Sequence, residues 1–152
     1  MRTLVCRAAL AAALLLGFAV AGEAQMAAPQ IAQRQDLMKA NGAAVRALVR
    51  MLRGTEPWDS GAARQAAVTI NRNSKQIIGL FPPGSGAASG AKTGARDAIW
   101  ESPGDFEGKA RALEEESAKL VAAGDDASFK AQIPVVGKAC SGCHETYRNA
   151  PE

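Results

Sequence analysis

The apolar positions of this chain recur at steps of four and three, a spacing that predicts helices along most of its length. Over residues 31–53 one stripe carries Ile31, Met38, Gly42, Val45, Val49 and Leu52, with Leu37 and Leu48 beside it. Gln33, Lys39, Arg46 and Arg50 mark the wet face, and Gly54 follows as a C-cap candidate ahead of the turn Thr55-Glu56-Pro57. A second helix opens at Asp59 or Ser60, either of which can accept hydrogen bonds from its first turn; its stripe is Ala63, Ala67, Ile70, Ser74, Ile77 and Phe81. Residues 81–104 then lose all periodicity. Pro82-Pro83-Gly84, Gly86, Ser89, Gly90 and Gly94 break regular structure, so this segment reads as a long flexible crossover whose far end is tacked down by Ile99 and Trp100.

Ser102-Pro103 opens a third helix, a hydroxyl cap followed by proline at the first helical position, with Asp105 and Glu107 in the first turn. Its stripe is Phe106, Ala110, Leu113, Ser117 and Leu120; Gly124 closes it, and Glu114-Glu115-Glu116 reads as a solvated face. Asp125 or Asp126 caps a fourth helix, striped by Phe129, Ile133, Val136, Cys140, Cys143 and Tyr147. Pro134 is expected to kink it or split off its first turns, because proline lacks the N–H and clashes with the preceding turn. Four helices of similar length with two short connections and one long one predict an all-α fold, an antiparallel four-helix bundle.

The N-terminal residues alter the domain count. Arg2 and Arg7 precede an apolar run over residues 8–20, and small residues follow at Ala21, Gly22 and Ala24, the pattern of a secretory signal. Residues 1–24 are expected to be removed, with Ala21 the second choice of cleavage point, leaving a single domain over residues 25–152. Cys6 precedes the apolar run and reads as an inert signal-peptide cysteine. No other stretch approaches the roughly 18 to 20 apolar residues a membrane span needs. With 18 basic and 15 acidic residues and a net charge of +3, the chain is too balanced to imply nucleic acid or an anionic membrane as partner. Aromatic residues make up only 5%, thin for a core of this size, and leave room for a large flat apolar body.

Cys140-Ser141-Gly142-Cys143-His144 supplies a reason for that room. C-x-x-C-H is the signal for covalent attachment of c-type haem, two thiols adding to the porphyrin vinyl groups and the adjacent imidazole ligating iron. On a helix the three side chains leave one face together and meet one flat macrocycle. C-x-x-C alone also reads as a redox pair or half a zinc site. Here His144 is the only histidine, so zinc lacks further imidazoles, and export to a compartment outside the cytosol agrees with haem attachment. One covalent haem c per chain, bound to the last helix, is the expectation.

A C-terminal C-x-x-C-H on the last helix of an exported bundle resembles the class II c-type cytochromes, the cytochrome c-prime family, whose members are standard examples of this bundle architecture. The stretches that carry the likeness are residues 137–148, residues 34–42, Leu80-Phe81-Pro82 and Ile99-Trp100. The resemblance implies that Cys140 and Cys143 hold the haem, that His144 is the proximal iron ligand, and that Arg148 lies near the proximal haem face. Members differ at the other axial position: an apolar side chain of helix one blocks it in high-spin, gas-binding members, and a methionine ligates iron in low-spin relatives. Here the position is Met38, and Arg34-Gln35-Asp36-Leu37-Met38-Lys39-Ala40-Asn41-Gly42 is most similar to the low-spin branch. A thioether is a soft ligand that favours ferrous iron, although a core methionine is also a common gap-filler. Met51 is out of register for the iron, and Met26 lies at the N-terminal fringe. Arg34, one turn before Met38, either packs its stem on the haem edge and meets a propionate or is a solvated charge.

The implied function is that of a periplasmic one-electron carrier, not an enzyme, that meets redox partner proteins transiently and binds no nucleic acid. The alternative is a five-coordinate protein that binds NO or CO. A homodimer through the first two helices is a further possibility carried by the resemblance, with Ala62, Ala63, Ala66 and Ala67 either at its seam or packed internally.

Overall fold

The structure, a computed structural model, describes the backbone of residues 2–149 and the side chains of residues 27–149. The signal-sequence reading of residues 1–24, its cleavage point after Ala24, and the readings of Cys6 and Met26 fall outside the described side chains. Among the described residues there is no strand, one isolated antiparallel bridge joins Ala95 to Arg148, and no helix is long and apolar enough to cross a membrane.

Four long helices, α1 (Arg2–Leu52), α2 (Ser60–Ser74), α4 (Pro103–Ala122) and α5 (Asp126–Tyr147), form the bundle, and a one-turn helix, α3 (Ala98–Glu101), lies in the crossover. Their direction follows from side-chain pairs. The Arg64 guanidinium donates to the Ala123 carbonyl at 2.9 Å, and further along the Asn71 amide donates to Ser117 Oγ at 3.1 Å, so α2 and α4 run antiparallel. Asp105 at the start of α4 meets Tyr147 at the end of α5, so that pair is antiparallel as well.

Local chemistry sets the ends. Asp59 caps α2 by accepting from the Ala62 N–H at 2.9 Å, and Asp125 caps α5 by accepting from the Ser128 N–H at 2.8 Å. Gly54 after α1 takes φ of 72°, a left-handed backbone open to glycine at no steric cost. Pro103 holds the first position of α4, while Ser102 caps by position alone, with no side-chain bond. The expected stripe of α4 is buried in full, Phe106, Ala110, Leu113, Ser117 and Leu120.

Three expectations change. The stripe of α2 does not continue helically to Phe81: the α-helix stops at Ser74, and Ile78–Leu80 form a 3₁₀ turn, because Pro82 disfavours helical backbone at the residue before it and Gly79 weakens helix just upstream. Pro134 does not split α5, which is continuous across it. The proline lies on the exposed side, and Ile133 and Val136 hold the turns around it in the core. On α1 the closed core takes Leu37, Leu48 and Met51, whereas Leu52 is exposed and Met38, Gly42 and Val45 face a cavity. The predicted stripe and the core stripe are neighbouring faces of one helix, each covered by something apolar. Ala63 and Ala67 are fully buried inside the bundle, Ala66 is half-buried and Ala62 exposed, so the first two pack internally.

The crossover is a packed strap. Trp100 Nε1 donates to the carbonyls of Phe81 and Pro82, each at 3.1 Å, and Ile99 is buried, which is how the far end is tacked down. Gly86 passes beneath the Trp100 ring so closely that a Cβ there would meet a ring carbon at 2.9 Å, a contact only glycine avoids.

Candidate functional site

Toward the crossover end the helices separate around a cavity of about 690 Å³, the size of a cofactor site. Ile77, Phe81, Ile99, Phe106, Ala110 and Leu113 give it apolar walls. From α5, Cys140, Cys143 and His144 face into it together, as the spacing predicts; from α1 come Arg34, Met38, Asn41 and Gly42. Arg148, at the C-cap of α5, lines the edge, and Met51 is buried in the core away from the cavity. All six residues singled out by sequence, Arg34, Met38, Cys140, Cys143, His144 and Arg148, therefore converge on one space.

The electrostatics suit a planar iron cofactor. Burial pushes both thiols up, Cys143 partly offset by the Lys109 ammonium, so neither is disposed to ionise. Burial, with the Arg148 charge second, holds His144 below the usual imidazole range, which keeps it neutral with a lone pair free for a metal. Among the described residues no three His, Cys, Asp or Glu side chains are grouped so that they could hold a metal ion by themselves, so the zinc reading of C-x-x-C finds no support. Two thiols one helical turn apart, a neutral imidazole beside them and an apolar cavity of this size fit a covalently attached haem.

Arg34 departs from the solvated-charge alternative. It is only 3% exposed, and its guanidinium donates to Ser85 Oγ at 2.8 Å, Ser85 O at 2.6 Å, Thr93 Oγ1 at 2.7 Å and Leu80 O at 3.4 Å while stacking 4.5 Å over Phe81. Every acceptor is neutral. Burial lowers its pKa with no carboxylate offsetting it, yet a guanidinium stays charged, so a full positive charge sits at the cavity wall. Gln35 donates to Lys92 O at 2.7 Å, and the two neighbouring side chains together latch the strap to α1.

Sequence reasoning did not single out Ser85, Thr93, Asn41, Asn73 or Tyr147 for the site. Ser85 and Thr93 lie where periodicity vanishes, so only the fold reveals them. Asn41 carried a usable signal: an amide three residues after Met38 shares its helix face, and a buried amide needs a partner. That partner is Asn73 of α2, whose Nδ2 donates to Asn41 Oδ1 at 2.9 Å. Tyr147 donates to Asp105 Oδ2 at 2.6 Å, which pushes its hydroxyl up to about 12 and fixes the end of α5 against α4.

Residues 29–148 match the family model described as Cytochrome C'. The chain belongs to the cytochrome c′ family. It is 36% identical over 123 residues to cytochrome c-556 of Agrobacterium tumefaciens, covering 80% of this chain and 98% of that protein. It is 32% identical over 126 residues to cytochrome c′ of Rhodopseudomonas palustris, covering 78% of this chain and 80% of that one. Among solved structures, cytochrome c′ of Rhodopseudomonas palustris superposes with a TM-score of 0.73 at 29% identity over 81% of this chain and 98% of its own. The protein from Shewanella frigidimarina does so with 0.75 at 27% identity over 82% and 97%. As a member of this family the chain is a haem c protein on a four-helix bundle, as its motif and periodicity imply.

Proposed function

We propose that this cytochrome c′ family member is a periplasmic one-electron carrier in which Cys140 and Cys143 tether the haem, His144 is the proximal ligand and Met38 the distal one. The observation that carries the reading is that Met38 and His144 reach the same cavity from two different helices, α1 and α5. When bound, haem c supplies the one-electron iron couple. The chain contributes the rest. His144, kept neutral by burial, offers its lone pair, and Met38 offers a soft thioether that favours the reduced state. The buried charge of Arg34 at the cavity wall is suited to a propionate, and Arg148 adds positive charge on the His144 side. Partners meet the protein transiently, through a small surface at the cavity mouth; a homodimer and removal of residues 1–24 belong to the same reading.

The purified ferric protein is expected to be low-spin in optical and EPR spectra, with a sulfur-to-iron charge-transfer band that Met38→Ala abolishes. A high-spin ferric spectrum in the unmutated protein at neutral pH overturns the Met38 assignment and returns the chain to the gas-binding reading. N-terminal sequencing of the mature protein from a periplasmic fraction tests the leader: a chain beginning at Gln25 is expected, and an uncut chain in the cytosol refutes it.

A further inference from the structure

The near balance of charge along the chain conceals a segregation that only the fold reveals. Five of the side chains lining the cavity are cations, Arg34, Lys39, Arg46, Lys109 and Arg148, and no carboxylate lines it. Arg34 is buried in the wall, whereas Lys39, Arg46 and Arg148 are exposed and Lys109 is half-buried, so these last four stand at the mouth, on α1, α4 and the end of α5. The carboxylates close by do little to cancel them. Lys39 pairs with Asp36 at 3.0 Å, but the two side chains are 76% and 75% exposed, where water screens the pair. Asp105, 3.9 Å from Lys109, already accepts from Tyr147. Among the described residues no carboxylate pairs with Arg46 or Arg148. A haem brings a pair of propionates, too few to balance five cations. The far end of the bundle is mixed in sign: Glu56 is bonded to Arg50, and Asp126 lies in the fields of Lys130 and Arg64. The exposed large apolar side chains, Leu52, Val68, Val121 and Val135, all lie away from the cavity.

We propose that the partner with which this protein exchanges electrons is a protein carrying a patch of carboxylates, and that it docks over the cavity mouth on Lys39, Arg46, Lys109 and Arg148. The inference deepens the carrier reading and rests on it. Charge of one sign around the mouth of an apolar cavity focuses the field there and raises the rate of encounter with the opposite charge by about tenfold or more at low salt. The mixed far end offers no comparable attraction, so the field selects the orientation of the partner as well as its sign. Exposed cations suit a brief encounter, because their pull is screened beyond about 8 Å at physiological salt and holds the complex only loosely once formed. An anionic membrane shares the partner's sign. Binding to it draws on exposed apolar side chains beside the cations, and here those side chains lie elsewhere on the molecule.

The test uses the haem-loaded ferrous protein, mixed in stopped flow with anionic hexacyanoferrate(III) or cationic tris(phenanthroline)cobalt(III). One electron leaves the protein and reduces one molecule of oxidant. As ionic strength rises from about 10 mM to about 300 mM, the rate with the anion should fall about tenfold and the rate with the cation should rise. Polyglutamate, which offers the carboxylates of an acidic protein surface, should slow the hexacyanoferrate(III) reaction at low salt. Lys39→Glu with Arg46→Glu should flatten or reverse both salt trends and remove the polyglutamate effect, with the optical spectrum unchanged. Glu115→Lys, exposed in the second half of α4, should leave every one of these responses as it was. Salt trends of the same sign for both oxidants, trends untouched by the double substitution, or indifference to polyglutamate overturn the proposal while the carrier reading stands. A ferrous protein that gives its electron to neither oxidant overturns the carrier reading itself. Sedimentation with phosphatidylglycerol vesicles at about 150 mM salt should leave the protein in the supernatant. Co-sedimentation that the double substitution abolishes assigns the mouth to a membrane and overturns the acidic protein partner.

Discussion

The two halves of the bundle are built from the same four helices and filled in different ways. In the half near the short turns, Leu48, Met51, Ala63, Ala67, Leu120, Phe129 and Ile133 form a core of buried side chains. The half near the crossover opens around the cavity, with Met38, Cys140, Cys143 and His144 only partly buried by protein. The turn half is also tied at its end by a polar knot: Trp58 Nε1 and Ser60 Oγ each donate to Asp126 Oδ2 at 2.8 Å, and Trp58 stands edge-on to Phe129 at 6.0 Å. The cavity half is tied by the Arg34 latch and the Tyr147–Asp105 bond. One half supports itself through side-chain packing. The other is built around a guest, with its fastenings placed at the rim where they do not occupy the space.

The largest effect expected from breaking this contrast is loss of the guest. In Cys140→Ser with Cys143→Ser, all haem should come away in acid-acetone extraction; haem that stays covalently bound refutes the attachment. In the haem-free protein, amide hydrogen exchange should rise through the last two turns of α5 and the strap while residues around Leu48, Ile70 and Phe129 keep their protection. Uniform exchange through both halves would mean that the turn half has no stability of its own.

Next in size is Phe129→Ala, which empties a fully buried site in the closed half. It should cost about 3–5 kcal/mol in denaturant melts, by lost burial and the cavity left behind. The reduction potential should stay as it was, because Phe129 does not line the cavity. A changed potential at unchanged fold would show that the halves are coupled more tightly than their packing implies.

The smallest effects are titrations, and they separate the ends by sign. Hydrogen bonds from Ser60 and Trp58 hold the Asp126 carboxyl below its usual range, so its contribution is present above about pH 4 and lost as pH falls through the depressed value. Tyr147 is pushed up to about 12 by its bond to Asp105, so its contribution is present below about pH 10 and lost as pH rises through about 12. Asp126→Asn should therefore flatten only the acid limb of a stability profile and Tyr147→Phe only the alkaline limb; both limbs responding to one substitution would refute the assignment.

Much of this was legible in the chain itself. Periodicity placed α4 residue by residue, the pairs Asp59 or Ser60 and Asp125 or Asp126 marked two helix starts to within one residue, and the C-x-x-C-H spacing put three chemically matched side chains on one face of α5. These are local properties, fixed by 3.6 residues per turn and by the unsatisfied N–H groups of a first turn. Tertiary structure alone decided what covers each apolar face. On α1 the faces of Leu37 and of Met38 read alike in sequence, yet one meets side chains and the other a cavity. It likewise decided that Arg34 is a buried latch and that Asn41 is held by Asn73. Both depend on groups that are more than thirty residues distant in sequence, and a hydrogen bond across that separation leaves no periodic trace. Helix geometry is local and is written in the spacing of residues, whereas the partner of a buried polar group is set by which helices the fold brings side by side.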